Sequence, residues 1–118
     1  MALSSLLILT AGAVPRSAAA GARPAIEWRE ELHPNGQLKS RVLLRDGLRE
    51  GVEHRWHPNG RLAAVRVFAA DRLHGQARSW YADGSPYEER WYKDGQEAGA
   101  QRAFTDDGVL YLNYEMRD

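Results

Sequence analysis

Few side chains in this sequence can do chemistry, and their spacing does not favour it. His33 and His57 stand one 24-residue step apart, each just before Pro-Asn-Gly, and His54 and His74 complete the histidines. Two imidazoles about 10 Å apart on alternate strands could share a metal. The residues one step further on are Tyr81 and Thr105, which supply no third ligand, so the histidines read as polar residues flanking turns. The acidic neighbours Glu30-Glu31, Glu88-Glu89 and Asp106-Asp107 are adjacent in sequence. Adjacent strand residues point to opposite faces, so no such pair converges as general acid and base. No serine lies in a Gly-x-Ser-x-Gly context. The glycines are too evenly spread to cradle a phosphate ahead of a helix. The expectation is no enzyme, no metal and no cofactor.

What remains must be an architecture that positions surfaces. The 118 residues suit one domain or a short repeat array. A hydrophobic share of 43% and a charged share of 27% are those of a globular chain. Sixteen basic side chains balance 16 acidic ones, which removes the electrostatic footprint of a nucleic-acid binder. Without cysteine there is no disulfide, thiolate metal site or thiol nucleophile.

Residues 1–22 read as a leader. Ala2 to Val14 is uncharged and mostly apolar, and small residues follow from Ser17 to Ala22. This fits an export signal cut after Ala20, with Ala20-Gly21-Ala22 as the second cut site and a disordered Ala-rich leader as the alternative, although no Lys or Arg precedes the apolar run. The run is shorter than the roughly 20 residues a spanning helix needs. The expectation is a periplasmic or secreted protein, with a cytoplasmic one as the alternative.

Residues 23–118 carry a 24-residue repeat. Gly36, Gly60, Gly84 and Gly108 lie on one frame, Gly51, Gly75 and Gly99 on a second, and Gly47 and Gly95 on a third whose middle member is Asp71. Large residues keep the same step: Leu32, Trp56, Trp80 and Phe104; Leu38, Leu62, Pro86 and Leu110; Leu44, Phe68, Tyr92 and Met116. Asn-Gly at 35–36 and 59–60 predicts tight type I′ hairpin turns, continued by Asp-Gly at 83–84 and 107–108. Asp46-Gly47 and Asp94-Gly95 predict a second, looser turn. No sustained helical period interrupts the segments between them. The fold class is all-β: an elongated single-layer antiparallel sheet of tandem hairpins, with three full copies and a half copy.

Because 24 is even, strand alternation repeats in phase from copy to copy. The even positions, with Trp28, Val42, Leu44, Val52, Trp56, Phe68 and Trp80 among them, are therefore expected to form one buried face. On that reading Trp56→Ala or Trp80→Ala costs about 3–5 kcal/mol. Pro86, which cannot donate to a ladder, predicts a bulged or edge-like strand start in the third copy.

These frames resemble tandem MORN repeats, in the bacterial variant found in YwqK-type toxin–antitoxin antitoxins. The resemblance rests on Trp56-His57-Pro58-Asn59-Gly60-Arg61-Leu62, on Leu73-His74-Gly75 and on Trp91-Tyr92-Lys93-Asp94-Gly95, within residues 28–118. Departures are Asp71 for glycine, Pro86 for leucine, and Glu50 and Ala98 where His74 implies histidine. The resemblance implies a sheet of successive hairpins and a non-catalytic partner role. The bound protein would be a toxin and this chain its antitoxin or immunity-like partner. The family name also implies the alternative of membrane-surface or lipid association.

The odd positions Leu43, Val67 and Trp91 are repeat-equivalent, and Val65, Tyr87 and Tyr111 flank them. They predict an apolar stripe opposite the main ladders. A single-layer sheet must cover such a stripe with its own arginines or with a partner. Leu43, Val67, Tyr87, Trp91 and Tyr111 are the candidate protein-binding residues. The segment Leu110 to Met116 is β-prone and predicts a strand able to recruit another strand, including that of a second copy.

Overall fold

A computed structural model of the chain describes residues 9–11 and 23–117. The strands are β1 Leu9–Ala11, β2 Ile26–Leu32, β3 Leu38–Arg45, β4 Leu48–Arg49, β5 Gly51–Trp56 and β6 Leu62–Ala69. They continue as β7 Arg72–Leu73, β8 Gly75–Trp80, β9 Pro86–Lys93, β10 Gln96–Phe104 and β11 Leu110–Met116. One open antiparallel sheet runs in the order β1-β2-β3-β5-β6-β8-β9-β10-β11, with β4 beside β3 and β7 beside β6. The all-β sheet of hairpins is therefore the fold. Apart from β1, the expected leader and its cut site lie outside the described residues.

The two kinds of turn exchange the roles assigned to them. At the second set of turns, 46–47, 70–71 and 94–95, both central residues have positive φ: Asp46 51° with Gly47 82°, Ala70 48° with Asp71 70°, and Asp94 51° with Gly95 83°. These are the tight two-residue I′ turns. At the Asn-Gly positions only the glycine is positive, as with Gly36 at 87° and Gly60 at 88°. Gly36 N–H donates to His33 O, and His33 N–H donates to Gln37 O. That is a type I turn closed by a glycine bulge. Pro34 and Pro58 suit it, because proline fixes a negative φ at the first central position, and the same turn closes at Tyr81–Ser85 and Thr105–Val109 with Ala82 and Asp106 in the proline's place.

The bulge recurs in every copy, with register shifts at Glu31/Leu32, Arg55/Trp56, Ser79/Trp80 and Ala103/Phe104. The shift beside Pro86 thus belongs to the repeat and not to the proline.

The expected even-numbered face is corrected by the register. Trp28 opposes Leu43, Arg29 opposes Val42, Val52 opposes Val67 and Gly51 opposes Phe68. Directly opposed residues share a face, so each hairpin sets an even residue beside an odd one. Parity survives from copy to copy but inverts from strand to strand. One face, here the inner face, carries every fully buried side chain among the described residues: Ser40, Val42, Leu44, Glu53, Phe68, Gln101 and Ala103. Trp28, Val52, Trp56 and His54 lie on the outer face with Leu43 and Val67.

Successive hairpins are also fastened side to side at their turns. His33 Nε2 bonds to Trp56 O at 2.7 Å, His57 Nε2 to Trp80 O at 2.8 Å, and the Tyr81 hydroxyl donates to Phe104 O at 2.7 Å. Burial, then the neighbouring Tyr111 and Tyr87, raises the Tyr81 phenol above its ordinary pKa and keeps that donor protonated. Asn35 and Asn59 donate to Pro58 O and Ala82 O, each from one turn to the next. The histidines weighed as metal ligands are thus rungs of a ladder.

At the opposite turns Asp71 accepts from the Arg49 backbone and guanidinium, and Asp71 N–H donates to Arg49 O. Those bonds, the side-chain one foremost, lower the Asp71 pKa below 3.8. A depressed carboxylate stabilises above its unfolded pKa and loses that contribution as pH falls through the folded one. Asp71→Asn, which keeps the left-handed turn residue, should therefore lower the melting temperature at pH 7 and leave it near the parent's at pH 2. An equal deficit at both values would show that Arg49 does not act through charge.

Candidate functional site

The outer face holds the candidate residues together. Leu43 on β3, Val67 on β6 and Trp91 on β9 occupy equivalent rows, each two strands from the next, which spaces them by about 9–10 Å. Their sharing of one face follows from the pairs Trp28–Leu43, Val52–Val67 and Gln76–Trp91. Glycines flatten the floor between them. A Cβ at Gly75 would meet Val67 Cβ at 3.5 Å, and one at Gly99 would meet Trp91 Cβ at 3.5 Å. Both glycines have positive φ, 112° and 74°, so backbone and packing favour glycine there together.

Exposure divides the stripe. Leu43, Val65 and Val67 are half-buried, while Tyr87 (38%), Trp91 (45%) and Tyr111 (59%) are exposed. Tyr87 lies on the same face, four residues from Trp91 and about 13 Å along β9. Its ring centroid is 4.9 Å from that of Tyr81. Tyr111 on β11 stands two strands further on. Arginines cover part of this face, with the Arg41 guanidinium 4.2 Å from the Trp28 ring centroid and that of Arg78 5.5 Å from Trp80.

Trp28, the exposed Val52, Trp56 and Trp80 were missed on the outer face by the sequence reading, because their even numbers placed them on the other side. The odd hairpin register is the signal that would have found them.

The inner face is a lattice of ion pairs over a thin apolar row. Arg66 places two nitrogens on Glu53 Oε1 at 2.8 and 2.5 Å, and Arg55 lies 3.7 Å from the same carboxylate. Arg90 bonds Glu88 at 2.9 Å and Glu97 at 3.0 Å, and the Tyr114 hydroxyl donates to Glu97. Burial alone would pull the Arg90 pKa down, but the Glu88 carboxylate, with Tyr114 and Tyr92 after it, raises it on balance. Burial raises the Tyr92 phenol. Arg55, Arg66, Ser79, Glu88, Arg90 and Tyr92 line an open depression of about 630 Å³.

Every cation named here is matched by a carboxylate, so this face holds itself together. The acidic neighbours separate as strand geometry requires. Glu88 faces inward to Arg90, whereas Glu89 faces outward to Arg78 and Arg102. Glu30 pairs with Arg41, and Glu31 accepts from the Ser40 hydroxyl on the other side. No two neighbours meet over a common point.

No family model, curated protein or solved structure matches the chain.

Proposed function

We propose that this chain is a non-catalytic interaction module that docks a protein on its outer face, with Trp91 at the centre of the contact. The observation that carries the reading is the exposed aromatic set Tyr87, Trp91 and Tyr111 on the face opposite the buried row. Aromatic residues in that setting are the usual anchors of protein interfaces. The stripe from Leu43 to Trp91 is about 20 Å long, within the span of a standard interface. The resemblance to MORN-type antitoxin repeats supports a toxin as the partner, with this chain as its antitoxin or immunity-like counterpart. The apolar leader supports an encounter in the envelope or outside the cell. Lipid association has less support, because Arg41, Arg49, Arg66, Arg78 and Arg90 are each engaged by a carboxylate.

The test is affinity capture with the chain as bait, from envelope and cytosolic fractions of the source cell. One protein should be recovered near one to one with the parent chain and lost with Trp91→Ser. The Ser variant should melt within a few degrees of the parent, since exposed positions change stability by only about 0.5 kcal/mol. Capture that survives Trp91→Ser, or no capture from either fraction, would overturn the reading.

A further inference from the structure

β11 is the last strand in the order of the described sheet, and among the described residues no strand lies along its outer edge. Solvent-facing edges are ordinarily guarded by charge, proline or a bulge. At the other end of the described sheet β2 is not an edge, because β1 lies along its Trp28 to Glu30, and β2 is itself charged at Glu27, Arg29, Glu30 and Glu31. β11 has neither that cover nor that charge, with Leu-Tyr-Leu-Asn-Tyr-Glu-Met holding one charge and no proline. Leu110, Tyr111, Tyr114 and Met116 are all exposed.

The pairing of Gln101 with Tyr114 and Ala103 with Leu112 puts Leu112, Tyr114 and Met116 on the inner face. Tyr111, Asn113 and Glu115 therefore alternate to the outer one.

We propose that β11 pairs antiparallel with β11 of a second copy of this chain, about a two-fold axis passing beside Asn113. A two-fold normal to the sheet keeps inner face with inner face, so only residues of like face oppose each other. Centred on Asn113, the register sets Leu112 against Tyr114 and Leu110 against Met116. It sets Tyr111 against Glu115, and Asn113 against its own copy. Apolar meets apolar on the inner face, and no like charges oppose.

A head-to-tail stack on β2 is worse matched, and β1 already pairs with Trp28 to Glu30 there. It would bring Glu27, Arg29 and Glu31 beside Leu112, Tyr114 and Met116 and desolvate charges without partners. The isologous pairing closes at two copies and extends the sheet across both. It stands apart from the docking surface proposed above, with which it shares Tyr111 alone.

The full chain, followed by sedimentation equilibrium from micromolar to submillimolar concentration, should show a monomer–dimer equilibrium. Asn113→Lys and Asn113→Asp each place like charges across the axis and should weaken the dimer by about tenfold or more. Mixing the two variants should restore a heterodimer, read by native mass spectrometry. Asn113 is exposed and pairs with Arg102, so Asn113→Asp keeps the test alive if the lysine variant does not fold. A chain monomeric throughout, one growing past the dimer, or variants that dimerise like the parent would each overturn the proposal.

Discussion

Replacing Phe68 with alanine should lower the unfolding free energy by about 3–5 kcal/mol, the largest loss expected from any single truncation in this chain. Phe68 is 3% exposed on the inner face. Arg49 and Arg66 lie with their guanidinium carbons 4.1 and 5.4 Å from its ring centroid. Gly51 and Leu73 oppose it on the flanking strands. A single-layer sheet has no second layer to move into the gap, so the cavity stays open and the two cations lose the ring beneath them. A domain of this size has roughly 5–15 kcal/mol in all, and the variant should be near the limit of folding. Trp56→Ala should cost less, because Trp56 is half-buried on the outer face against His54 at 5.8 Å. Urea denaturation of both variants decides the ranking. A Trp56 loss exceeding that of Phe68 would mean that the tryptophan row, and not the inner face, is the core.

The second large effect is expected at Glu53. Its carboxylate is buried and serves Arg66 and Arg55 together. Glu53→Ala should destabilise by about 2–3 kcal/mol, below the range for a fully buried pair because about a third of each arginine stays solvated. The backbone itself tolerates alanine at this place in the repeat, since Ala77 occupies it one copy later. The cost is therefore that of stranding two cations. Adding Arg66→Met should recover roughly half of it, because removing both partners spares the unpaired group. A double variant no more stable than Glu53→Ala would place the loss in packing.

The repeat, the strands and the stripe were legible because each depends on local chemistry at a fixed step. Gly36, Gly60, Gly84 and Gly108 mark turns whichever type those turns adopt, so the hairpin order follows from spacing alone. Leu43, Val67 and Trp91 share a face because copies repeat in phase, which holds for any register. The buried face was not legible on the same argument. It depends on how one strand is set against the next, and the bulge at Arg55/Trp56 and the two-residue turn at Asp46-Gly47 fix that register between them. The turn types were misassigned because Asn-Gly and Asp-Gly suit a glycine-bulged type I turn as well as a type I′ turn, and the bulged form closes the loops at Pro34 and Pro58 and equally those at Ala82 and Asp106. Ala70, with φ of 48°, shows the converse. A poor left-handed residue is held in place because its N–H donates to the Glu50 carboxylate of the preceding hairpin.

The rungs from His33, His57 and Tyr81 have a consequence for how such a chain changes length. Each rung joins a side chain to a backbone carbonyl, and a backbone carbonyl is supplied by any residue. A hairpin pair can therefore be duplicated or excised without a matching change in its neighbours, provided the step of 24 is kept. Any other step inverts or displaces the faces and breaks the rungs together. The molecule's length is thus quantised in steps of one repeat, with the His and Tyr rungs indifferent to which residue supplies the carbonyl they reach.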